Sequence, residues 1–95
     1  MKDKTYNFHS DSSHGYLEVD VKELHELGIY DEITCFSYYK DGKAYLEEDH
    51  DAYIFINAWK KKNDIKDFYK IHDMINHIEH GTFAPCTHYS NFLPQ

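Results

Sequence analysis

Hydrophobic and polar residues first settle into a regular rhythm at Gly15. In the run YLEVDV, Leu17, Val19 and Val21 alternate with Tyr16, Glu18 and Asp20, the period of a strand with one face buried and the other in water. Residues 1–14 are polar, with Tyr6 and Phe8 as their large apolar groups, and read as a flexible arm before a single domain spanning 15–95. Asp20, followed three residues later by Glu23, has the form of a capping box. Leu24 and Leu27 then give a short apolar stripe that Gly28 ends, which predicts a helix of about two turns with Ile29 folded back on Leu24.

Two alternating runs, ITCFSYY and AYLEE, flank Asp41-Gly42. This is a strong hairpin signal, because a type I′ turn demands positive φ at both central residues. A two-residue loop sets Lys40 opposite Lys43, Tyr39 opposite Ala44, Tyr38 opposite Tyr45, Ser37 opposite Leu46 and Phe36 opposite Glu47. Alternation puts Ile33, Cys35, Tyr39, Ala44 and Leu46 on one face, and Thr34, Phe36, Tyr38, Tyr45 and Glu47 on the other. The first set makes the better core. Phe36, Tyr38 and Tyr45 are then outermost, where a neighbouring strand would add Tyr16, Glu18 and Asp20.

Asp49 or Asp51 can cap the next helix, in which Ala52, Phe55, Ile56 and Trp59 share one stripe and Lys60, Lys61 and Lys62 suit the C-terminal dipole. After Asn63-Asp64, the residues Ile65, Phe68, Ile71, Met74, Ile75 and Ile78 occupy half of a helical wheel, and Gly81 stops it. A strand over 67–72 is the competing assignment. The aperiodic tail carries Phe83, Tyr89 and Phe92, which are expected to pin it to the domain. Together these elements predict an α+β fold in the order β-α-β-β-α-α: a small, mostly antiparallel sheet of a strand and a hairpin, packed by two amphipathic helices.

Charge changes the picture more than composition does. The formal charge is −7, from 17 acids against 10 bases, and every base is lysine. Phosphate and base-edge recognition favours the guanidinium fork and a positive footprint, so direct nucleic-acid binding is disfavoured and a partner with a basic surface is favoured. No run approaches the roughly 20 apolar residues of a membrane helix, and no secretory signal is evident. A soluble, cytoplasmic chain is expected. Cys35 and Cys86 lack C-x-x-C spacing and read as reduced thiols.

Three clusters carry possible chemistry. Glu47, Glu48, Asp49 and Asp51 could hold a hard cation, but successive strand residues point to opposite faces and the aspartates have helix-capping work, so a solvated acidic corner is the simpler account. Asp73, His77 and His80 would share one helical face and could together bind zinc, although that face is also the polar half of the predicted helix. Cys86, His88 and Ser90 lie close in a loop without an oxyanion loop or nucleophile elbow, so no catalytic residue and no cofactor is expected. The outer aromatic face is the strongest feature, since a contiguous ring-bearing patch needs either a cover or a partner.

The runs HGYLEV (14–19), ELGI (26–29), ITCFSY (33–38) and YLEEDHDA (45–52) resemble a group of small uncharacterised proteins of bacteriophages and mobile elements. Tyr16 stands where tryptophan is expected in that pattern, and His50 where cysteine is common. The resemblance covers about 40 residues and carries no activity. It implies a setting in which small acidic proteins act by binding a host protein, including CRISPR or restriction components. The expected function is therefore a non-catalytic inhibitor acting in the host cytoplasm, by direct contact or DNA mimicry, with a homodimer possible. Its surface would comprise Tyr16, Glu18, Asp20, Phe36, Tyr38, Tyr45 and Glu47, with Glu48, Asp49 and Asp51 at the rim.

Overall fold

The computed structural model describes residues 5–65, 73–83 and 87–90. Its centre is a six-stranded sheet in the order β5-β1-β2-β4-β3-β6. The strands are β1 (Tyr6–Ser10), β2 (Gly15–Asp20), β3 (Tyr38–Lys40), β4 (Lys43–Glu47), β5 (Ile75–Glu79) and β6 (Thr87–His88). β1 and β5 run parallel and the other pairs antiparallel. Among the described residues, two α-helices, α1 (Val21–Glu26) and α2 (Asp51–Lys62), accompany the sheet. No helix among the described residues is long and apolar enough to cross a membrane.

This architecture corrects the expected one: the sheet is larger and mixed, and among the described residues no second amphipathic helix packs it. Residues 75–79, assigned by periodicity to that helix, form β5. Ile75 pairs beside Tyr6 and Ile78 beside His9, so the two isoleucines face opposite sides of the sheet. The stretch INHI holds two β-branched residues and no strong helix former, and pairing along β1 satisfies backbone groups that would otherwise be left at an edge. The competing strand over 67–72 lies outside the described residues.

Part of the expected arm is a strand as well. Tyr6 and Phe8 alternate with Asn7 and His9 in β1, the second strand of the sheet. Tyr6 is buried, meets Phe55 edge-on at 5.4 Å and donates from its hydroxyl to Glu23 Oε2 at 2.8 Å. Its phenol is held well above the usual range, first by burial and then by Glu23.

The local signals around α1 and the hairpin give the expected geometry. Asp20 and Glu23 form the capping box, Gly28 turns with φ 72°, and Ile29 N–H returns to Leu24 O. Asp41 and Gly42 take φ of 51° and 82°, which sets Tyr38 opposite Tyr45 and Tyr39 opposite Ala44. The strand before the turn is shorter than expected, because residues 33–37 leave the ladder. Ser37 Oγ accepts the Glu47 backbone N–H at 2.9 Å, so a side chain replaces the missing strand pairing.

One face of the sheet, with Leu17, Val19, Ala44 and Leu46, packs against Val21 and Leu24 of α1 and Phe55 of α2. Each large side chain buried this way contributes about 1.5–3 kcal/mol.

Candidate functional site

The opposite face carries Tyr16, Glu18 and Asp20 from β2, Tyr38 from β3, and Tyr45 and Glu47 from β4, since the registers pair Tyr16 with Glu47, Glu18 with Tyr45 and Tyr45 with Tyr38. It is divided. One half lies under Phe83, whose ring stacks on His9 at 4.8 Å and 10° and meets Tyr45 and Tyr16 at 5.4 and 5.6 Å. Burial pushes the Tyr16 and Tyr45 phenols up, with Tyr38 and Glu18 respectively adding to it.

Asp11 fastens this cover. Its Oδ1 accepts the backbone N–H groups of Ser13 and His14, each at 2.8 Å, and its Oδ2 accepts the N–H of Phe83 at 3.1 Å. These donors, Phe83 foremost, lower the Asp11 carboxyl to about 2. Beneath Phe83, His9 Nε2 lies 2.6 Å from Glu18 Oε1 and His9 Nδ1 lies 2.9 Å from His80 Nε2. Asp20 accepts a hydrogen bond from Lys43, which lifts the lysine ammonium above its usual range. Two of the acids expected to face a partner are thus engaged within the protein.

The other half is an open groove of about 610 Å³. Tyr16 and Tyr38 form its floor, edge to face at 5.5 Å and 81°, and His88 of β6 stacks on Tyr38 at 4.6 Å. Phe36, at 70% exposure the most open large apolar residue described, stands on one wall. Glu47, Asp49 and His50 form another. The groove therefore gathers Tyr16, Phe36, Tyr38, Glu47 and Asp49 from the expected surface, and leaves Glu18, Asp20 and Tyr45 under or beyond the Phe83 cover.

Glu48 and Asp51 go elsewhere. Glu48 turns to the other side of the sheet, where it lines a hollow with Phe8, Ile56 and His77. Asp51 is fully buried at the first position of α2. It accepts hydrogen bonds from Thr34 N–H at 3.1 Å, Thr34 Oγ1 at 2.7 Å and Ser37 Oγ at 2.5 Å, while His50 Nδ1 lies 3.0 Å from its other oxygen. It holds the loop that presents Phe36 instead of meeting a partner itself.

Asp73, His77 and His80 do not share a face. Asp73 sits in the turn before β5, His77 packs beside Phe8 on the core side, and His80 joins His9 on the outer side. A strand separates neighbours that a helix would have aligned. Among the described residues, no group of three or more His, Cys, Asp or Glu is placed to hold a metal ion. Cys86 lies outside the described residues; His88 is spent on the groove, its Nδ1 2.8 Å from Cys35 O.

His9 and Asp11 were not singled out by the sequence pattern, whereas Phe83 was expected to pin the tail to the domain, as it does, and His88 was weighed only beside Cys86 and Ser90. The run DSSHG did carry a signal for Asp11, because an aspartate ahead of small polar residues and glycine is a turn-former that bonds the backbone two and three residues on. Compared with protein-family models, curated proteins and solved structures, the chain matches none.

Proposed function

We propose that this chain acts by binding another protein, and that the groove between Phe36 and Glu47 is the docking site. The observation that carries this reading is Phe36 itself: a phenylalanine 70% exposed, on a loop anchored by the buried Asp51 carboxylate, beside the rings of Tyr38 and Tyr16. An exposed aromatic side chain on an anchored loop has little backbone freedom to lose on binding and offers a large area to desolvate, which is how interface anchors work.

The resemblance to bacteriophage and mobile-element proteins and the charge of −7 support a finer version. In it the partner is a host protein with a basic surface, such as a defence component, and the chain is a non-catalytic antagonist in the host cytoplasm. Direct contact is favoured over DNA mimicry: mimicry needs an array of free carboxylates, whereas Glu18 and Asp20 are engaged by His9 and Lys43, and Asp51 is buried.

A photo-crosslinking phenylalanine at position 36 tests the reading in a bacterial host, with the same group at the exposed Asn57 of α2 as control. A discrete protein adduct at 36 and not at 57 is expected. Identical adduct patterns at both positions, or none at 36, would remove the groove as a docking site.

A further inference from the structure

The groove is built almost wholly of electron-rich groups. A carbonyl oxygen only accepts, so the contact of His88 Nδ1 with Cys35 O puts the ring hydrogen on Nδ1 and leaves Nε2 of the neutral ring as an acceptor. The same reasoning applies to His50, whose Nδ1 faces the Asp51 carboxylate and whose Nε2, when the ring is neutral, is an acceptor on a residue lining the groove. Glu47 spends one oxygen on the Asp49 N–H, and its other oxygen and the Asp49 carboxylate face no lysine among the groove's lining residues. The rings of Phe36 and Tyr38 add negative π faces.

We infer that this groove is a receptor for an arginine side chain of the partner protein, an inference that rests on the docking reading above. A guanidinium is a flat cation that stacks on aromatic rings and carries five N–H donors in a fixed fork, whereas an ammonium is a compact, strongly hydrated charge. A lining that offers ring faces, two carboxylates and imidazole acceptors around one open space matches the first better than the second. The chain contains no arginine, so neither its own side chains nor a second copy can supply the ligand. The occupant must come from a different protein.

Three blocked, glycine-flanked peptides carrying arginine, lysine or neutral citrulline are the probes, titrated into the isotope-labelled full chain and followed by NMR. The arginine peptide is expected to shift the Phe36, Tyr38 and His88 ring resonances saturably, with a dissociation constant on the order of 1 mM. Lysine should bind about threefold and citrulline about tenfold more weakly. The double variant Glu47→Gln, Asp49→Asn, which keeps the acceptor for the Asp49 N–H, should bring arginine down to the citrulline level. Equal binding of citrulline and arginine, shifts confined to carboxylates outside the groove, or no saturable shift would each overturn the inference. If position 36 still crosslinks a discrete partner in that case, docking stands and only the arginine assignment falls.

Discussion

Ser37 Oγ lies 2.5 Å from Asp51 Oδ2 and also receives the Glu47 backbone N–H at 2.9 Å, so a single hydroxyl ties the Phe36 loop both to α2 and to β4. Both residues are fully buried. Replacing Asp51 with alanine strands the Thr34 and Ser37 donors and should cost about 2–4 kcal/mol, while Ser37→Ala should cost about 1–2 kcal/mol. Urea unfolding of the variants checks this. A wild-type midpoint for Asp51→Ala would show that the loop does not depend on it.

Gly15 stands where β2 meets the end of β4. A Cβ added there would lie 2.5 Å from Phe8 Cζ and 2.6 Å from Glu48 Oε1. The glutamate can swing away; the Phe8 ring, packed against the core, has less room. Gly15→Ala is therefore expected to lower stability by about 1–3 kcal/mol, and Gly15→Ala combined with Phe8→Leu should lose less than the two single changes added together. Additivity in denaturant melts would contradict the contact.

Alkaline pH should unfold this protein through its phenols. Tyr6, Tyr16, Tyr45 and Tyr89 are all raised above 10.0, burial being the largest cause in each. A group whose folded-state value is raised supports the fold below its unfolded value and loses that support as pH climbs toward the folded one. Stability should therefore hold up to about pH 10 and then fall by up to about 1.4 kcal/mol per pH unit for each phenol the unfolded chain ionises first. Denaturant midpoints on either side of pH 10, with Tyr6→Phe reducing the decline, test it. A flat profile would contradict these burials.

Acid should act at the other end of the scale and locally. The Asp11 carboxyl is lowered from 3.8 to about 2 by the N–H groups of Phe83, Ser13 and His14. A depressed carboxyl supports the fold above its unfolded value, and that support is lost as pH falls from about 4 toward 2. The Phe83 amide resonance should titrate with a midpoint near 2. A midpoint near 3.8 would mean that Asp11 does not hold the cover.

Elements written in local chemistry were legible from the sequence: the Asp41-Gly42 turn, the Asp20–Glu23 capping box, the stripe of α2, and the split that puts Tyr16, Tyr38 and Tyr45 on the outer face of the sheet, although Tyr16 is buried there. What escaped was written in distant partners. β1 and β5 are five residues each and gain their identity by pairing with one another across the sequence, so no window around either contains the reason for the strand. The alternation before the turn was sound as a pattern, yet the Asp51 carboxylate, 14 residues beyond Ser37, draws that segment out of the ladder. Phe36 thus reached the surface for a different reason than strand alternation. The assignment of Ile75 and Ile78 to a helix shows the converse error, since the spacing of these isoleucines also fits an edge strand with one isoleucine on each side.

The outermost strands, β5 and β6, both come from the last quarter of the chain. During synthesis β1 to β4 therefore precede both strands that close their flanks, and until β5 and β6 are made the ribbon carries bare hydrogen-bonding groups on both sides. Slow elongation or premature termination after α2 would leave a sticky nascent ribbon whose two open sides invite pairing with other chains. Production of this protein should then depend on how quickly the codons for β5 and β6 are read.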